Sequence, residues 1–261
     1  MNSVERLLVV YNSLCSQPVD QTMLGIWANV FELNLNEKHL EDDVSNAVGA
    51  LRAQIEIART RLLVAGVPEE LASFGLDRLK GVASFGYFNT RWDSLRGNLL
   101  PPECRQSLLW GAWVLRGESE TEMPLEDMQE LLAALTELED ALQDTEMSPY
   151  LRAFIQRQVE AIRAALRVYN IRGAESLQDA MRKIGGDIQF EEAQLLKEND
   201  AATEEVRSIL AKTANLIEKT AKVCDNLDKI KKFGEGFYAL TCKVLPKLLA
   251  YKDQISTSLT N

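Results

Sequence analysis

Residues 125–167 read LEDMQELLAALTELEDALQDTEMSPYLRAFIQRQVEAIRAALR, and this stretch decides the fold class. Leu125, Met128, Leu131, Leu132, Leu135, Leu138 and Leu142 recur at the steps that line one face of an α-helix. Leu151, Ile155, Val159, Ile162 and Leu166 form a second such stripe. Between them, Ser148 offers a capping hydroxyl and Pro149 a first-turn proline. A link of about five residues suits neighbours that run in opposite directions, so the pair reads as an antiparallel helical hairpin.

The same period extends to both sides. Leu40, Val44, Val48, Leu51, Ile55, Ala58 and Leu62 place a long helix over 36–65, punctuated by Gly66 and Pro68. Gly173 is expected to end the helix that starts at Pro149, and Gly185-Gly186 to mark another break. Over 191–232, Ile209, Leu216, Val223 and Ile230 repeat every seven residues. Thr213 and Thr220 dilute the companion seam, which favours a bundle helix over a dimeric coiled coil. The stretch 85–98, FGYFNTRWDSLRGN, is the least helical and reads as an irregular connection. No strand alternation and no tandem repeat is visible. The expected fold is all-α, an irregular multi-helix bundle with long antiparallel helices.

Basic residues change type along the chain. Residues 1–182 hold 15 Arg and 2 Lys, whereas 183–261 hold 1 Arg and 11 Lys. The switch coincides with Gly185-Gly186. A helical bundle domain over 1–185 and a C-terminal helical segment over 186–261, a long helix plus a basic amphipathic tail, are expected from it.

Composition removes many functions. The chain has 261 residues and a single histidine, His39. One imidazole cannot build paired ExxH di-iron sites, HExxH zinc sites or HD-type hydrolase centres. Cys15, Cys104, Cys224 and Cys242 form no CxxC pair, and scattered thiols suit a reducing cytoplasm. The longest apolar run near the start, Leu7–Tyr11, is too short for a signal core, and no window of 18 apolar residues occurs. There is no GxxxxGK[ST], GxGxxG or GxSxG. Asp42-Asp43-Val44-Ser45-Asn46 lacks the final acid of a DDxxD magnesium motif. Acids in a first helical turn have a sufficient reason in the helix dipole. No Arg precedes His39 at the spacing of a HEPN ribonuclease. No enzyme, cofactor, metal ligand or catalytic residue is expected.

What remains is surface. The net charge is -10, from 29 Lys+Arg against 39 Asp+Glu, which disfavours nucleic acid as a partner. Residues 118–146 hold 11 acids and no base. Arg152, Gln156, Arg163 and Arg167 occupy one sector of the next helix, so part of this acidity is expected to be matched within the hairpin. Glu126, Glu130, Glu137 and Asp140 are the candidate docking residues for a basic partner. From Arg207 to Lys252 the bases number 10 and the acids 4. There Lys229, Lys231, Lys232, Phe233, Phe237, Lys243 and Lys247 form a candidate basic, amphipathic surface. Trp27, Trp92, Trp110 and Trp113 are expected in the core, although an exposed Trp pair would anchor an interface. The sequence therefore points to a non-catalytic helical interaction or regulatory subunit of a larger cytoplasmic complex, with a protein partner. The alternative is a membrane-associated protein, of a bacterial defence or toxin type, acting through the basic tail on an anionic surface. Self-association into a homo-oligomer is compatible with both.

Overall fold

Eleven α-helices and no strand occur among the residues that the computed structural model describes, 1–36 and 38–227. In chain order they are α1 (Ser3–Ser16), α2 (Met23–Val30), α3 (Leu40–Val64), α4 (Glu69–Val82), α5 (Trp92–Arg96), α6 (Pro102–Val114), α7 (Leu125–Asp144), α8 (Pro149–Arg167), α9 (Tyr169–Arg172), α10 (Ala174–Ala201) and α11 (Glu204–Leu227). The fold is all-α, as the apolar periodicity required. Two compact units divide the described residues: Met1–Glu120 with Arg167–Gly173, and Thr121–Leu166 with the helices α10 and α11.

The first unit is built on α3. Its sequence stripe Val44, Val48, Leu51, Ile55, Ala58 and Leu62 is buried, with Ala47 beside it. The start of α1 is fixed by a capping box. Asn2 accepts from the backbone N–H groups of Val4 and Glu5, and Glu5 accepts from the Asn2 N–H at 2.7 Å. Asn2 Nδ2 then donates to the Ala112 carbonyl at 2.9 Å, tying α1 to the last turn of α6. Close approach sets the α4–α6 crossing. A Cβ on Gly75 would fall 2.8 Å from the Cys104 carbonyl oxygen, so only glycine allows this spacing. The stretch 85–98 is irregular, as expected: a 3-10 turn at Phe85–Tyr87 leads to the short α5. It runs beside the entry to α2, where Met23 N–H donates to the Thr90 carbonyl and Trp92 N–H to that of Gln21. Trp27 and Trp92 lie in the core here, fully buried.

The second unit sets α7, α8, α10 and α11 in antiparallel order. Lys212 of α11 meets Glu137 of α7, and Lys219 meets Glu130, so the later residue on one helix pairs with the earlier on the other. Arg157 pairs with Glu191, and the Ser148 hydroxyl donates to Glu198, giving the same sense between α8 and α10. Leu131, Leu135, Leu138 and Leu142 of α7 are buried, as are Leu151, Ile155, Val159, Ile162 and Leu166 of α8. On α11 Ile209, Leu216 and Val223 are buried. Thr213 and Thr220 are buried with them, because each hydroxyl donates back to the carbonyl four residues earlier.

Several sequence expectations need correction. Gly185-Gly186 breaks nothing: α10 runs through both, carried by the buried stripe Leu177, Met181, Ile184, Ile188 and Leu195. Each glycine costs about 1 kcal/mol against Ala in a helix, and burial of that stripe outweighs it. Gly173 does not end α8, which stops at Arg167; it follows the four-residue α9 instead. The long segment read over 191–232 is interrupted at Ala202-Thr203, where the Thr203 hydroxyl accepts from Val206 N–H. Leu125 and Leu132 of the α7 stripe are exposed.

Candidate interaction surfaces

Helix α6 lies between α1 and α4 and has two apolar faces. Cys104, Leu108, Gly111 and Ala112 point inward and are buried. Leu109, Trp110 and Trp113 point outward, with Trp110 67% and Trp113 62% exposed. The expected core location of this Trp pair is thus overturned. An inward face was already supplied by smaller residues, and Gly75 and Gly111 bring the neighbouring helices too close to admit an indole. Val9 on α1 and Leu71 and Phe74 on α4 are exposed as well. Arginines stand against this surface: Arg116 is 4.0 Å from the Trp113 ring centroid and Arg78 is 5.5 Å from that of Phe74. Large exposed aromatics are costly to leave in water and are enriched at interface anchors.

The acidic helix α7 is partly matched by its own unit. Glu137 pairs with Lys212 at 2.8 Å and Glu130 with Lys219 at 3.5 Å. The Lys212 hydrogen bond holds the Glu137 carboxyl below its ordinary range. Glu139 pairs with Arg163. Arg152 caps instead, donating to the carbonyls of Leu142 and Thr145 at the end of α7. Arg167 takes no part in this matching: it belongs to the first unit and pairs there with Asp43 at 2.7 Å. Glu126 and Asp140 are exposed and have no ion pair among the described residues. The structure therefore places Glu130 and Glu137 in an intramolecular seam and leaves Glu126 and Asp140 facing solvent. Lys229, Lys231, Lys232, Phe233, Phe237, Lys243 and Lys247 lie outside the described residues.

His39 is exposed at the start of α3, 3.8 Å from Asp42. No cluster of three metal-ligating side chains occurs among the described residues. Burial pushes the Cys224 thiol up to about 12 and raises those of Cys15 and Cys104, which keeps all three protonated and poorly nucleophilic. Burial likewise pushes Tyr11 up to about 12, where its hydroxyl donates to the Leu99 carbonyl at 2.7 Å. An open groove of about 480 Å³ along α8 is floored by Ala153, Ala161 and Ala164 and rimmed by Arg157 and Lys183. Gln156 and Glu160 complete its lining. Among the described residues no helix is long and apolar enough to cross a membrane.

The outward face of α6 had one signal in the sequence. Leu108, Leu109, Trp110, Ala112, Trp113, Val114 and Leu115 cover more of the helix than one buried stripe uses. No protein-family model matches the chain, and neither a curated protein nor a solved structure matches it significantly.

Proposed function

We propose that this chain is a non-catalytic helical interaction subunit, working in a cytoplasmic complex through side chains presented on fixed helix faces. The exposure of Trp110 and Trp113, beside Trp27 and Trp92 that are fully buried, carries this reading. A protein partner covering the outward face of α6 removes that apolar area from water, at about 25 cal/mol per Å². The solvent-facing acids Glu126 and Asp140 form a second surface, suited to a basic partner whose approach they would steer.

The test is a tagged full-length pull-down from the native host, with proteins and lipids in the eluate both identified. Wild type is compared with Trp110→Ala/Trp113→Ala and with Glu126→Lys/Asp140→Lys. A stoichiometric protein, a second copy of the chain included, retained by wild type and lost by one variant supports the reading and names the surface. Enrichment of anionic lipid without any protein would replace it with the membrane-associated alternative.

A further inference from the structure

The outward face of α6 is complementary to itself. Glu103 stands in the first turn of the helix and Arg116 just beyond its last turn, both exposed and on the side of Leu109, Trp110 and Trp113. Neither forms an ion pair with another described side chain; Arg116 donates to the Trp113 carbonyl at 2.9 Å and stacks on its ring. When two such helices are laid face to face and antiparallel about a two-fold axis at 109/110, residue i meets residue 219 − i. Leu109 then meets Trp110, Gln106 meets Trp113, and Glu103 meets Arg116, each pair occurring twice. An isologous interface demands this kind of self-complementarity, apolar at the axis and opposite in charge at equal distances from it. A face carrying charge of one sign, or opposite charges at unequal distances, would fail the requirement.

The flanks extend the surface without obstructing it. Asn2 and Asn12 of α1 bond to Ala112 and Arg105 of α6, so Val9 lies alongside the middle of α6. Gly75 of α4 packs on Cys104 and Leu108, and Arg78 approaches the Asn98 carbonyl, so Leu71 lies alongside the following turn of α6. Both side chains are exposed near the axis. Two indoles of about 150–250 Å² each per protomer, with these neighbours, bring the contact into the range of small specific interfaces.

We infer that a second copy of this chain covers the outward face of α6, forming a two-fold dimer with α6 antiparallel to its mate and Glu103 opposite Arg116. The inference rests on the interaction-subunit reading and names the partner of its Trp surface.

The test uses the purified full chain in sedimentation or light-scattering mass measurements over a concentration series. Wild type is expected to dimerise, and Trp110→Ala to weaken the dimer about tenfold or more, as loss of a central anchor does. Glu103→Arg alone and Arg116→Glu alone each place like charges opposite one another twice and are expected to weaken it about tenfold or more. Mixing these two variants restores opposite charges at both contacts, so the mixture is expected to form a heterodimer that neither forms alone. Circular dichroism melts matching wild type establish that the variants fold, and all three positions are exposed. A wild type that stays monomeric throughout, or a mixture no tighter than its components, overturns the inference. The host pull-down still separates the two ideas: a foreign protein lost on Trp110→Ala/Trp113→Ala would sustain the interaction reading while this dimer falls.

Discussion

Gly173 concentrates several constraints in one position. Its φ of 63° and ψ of -148° lie where side chains of L-residues clash with their own backbone. A Cβ there would also come within 2.7 Å of Glu120 Oε2 and closer still to the Arg6 guanidinium. That guanidinium is 3% exposed and holds Glu120 at 2.9 Å, so it has little room to yield. Gly173→Ala is therefore expected to cost about 1–3 kcal/mol from backbone strain alone. Gly81 lies exposed inside α4 with nothing within 4 Å of a Cβ, so Gly81→Ala should stabilise by about 0.5–1 kcal/mol. Urea unfolding of the two variants checks both signs; a neutral Gly173→Ala would mean that the chain does not hold this turn. The sequence marked Gly173 as a helix end but assigned it to the helix that starts at Pro149, whereas it follows α9. A glycine's left-handed φ depends on what the next residues pack against, and the buried Arg6 that crowds it lies far away in sequence.

At the scale of the helix, burial and charge contribute unequally to α7. Leu135 is buried on the seam that defined the helix in the sequence, whereas Glu137 pairs with Lys212 on an exposed edge. Leu135→Ala is expected to cost about 2–5 kcal/mol through lost transfer energy and the cavity left behind. Glu137→Gln is expected to cost under about 1 kcal/mol, because solvent screens exposed pairs. The pH dependence follows from the direction of the Glu137 shift. Its folded carboxyl titrates below the ordinary value of 4.5, so the pair stabilises above that value. The contribution disappears as pH falls through the depressed value, and added salt weakens it throughout. Denaturant midpoints at pH 7 and in the acid range, with and without Glu137→Gln, read this directly: the variant's deficit should vanish on acidification. Periodicity revealed α3, α7, α8 and α11 because a buried stripe imposes it. It gave no warning that α10 continues through Gly185-Gly186, since glycine propensity is a local term and the stripe on either side outweighs it. Nor did it separate the two faces of α6, because period counts apolar positions without saying which neighbours are already filled by closer packing.

At the scale of the whole chain, the first unit is discontinuous. Its core contains Ile171, buried among residues of 1–120 although more than 50 positions separate it from Glu120. The same short segment supplies Arg167 to Asp43. The chain therefore passes between the two units three times, at 120/121, 166/167 and 173/174. No compositional reading could find this. The Arg-to-Lys change near residue 183 is a change of composition, which says nothing of how the chain packs, and the tetrapeptide Tyr169–Arg172 is too short to show a period. Packing, by contrast, makes the segment part of the first unit's stability. Ile171→Ala is expected to cost about 2–5 kcal/mol, as other truncations of fully buried aliphatic side chains do. Hydrogen exchange gives the more telling readout. Protection should fall in α1 and α3, which α9 packs against, while α11 keeps its protection if the second unit opens independently. Equal loss in both units would instead make the 167–173 segment a mechanical tie through which the whole chain unfolds as one cooperative body. In that case a partner bound to either unit would stabilise both, since ligand binding to the folded state acts on every region that shares its unfolding transition.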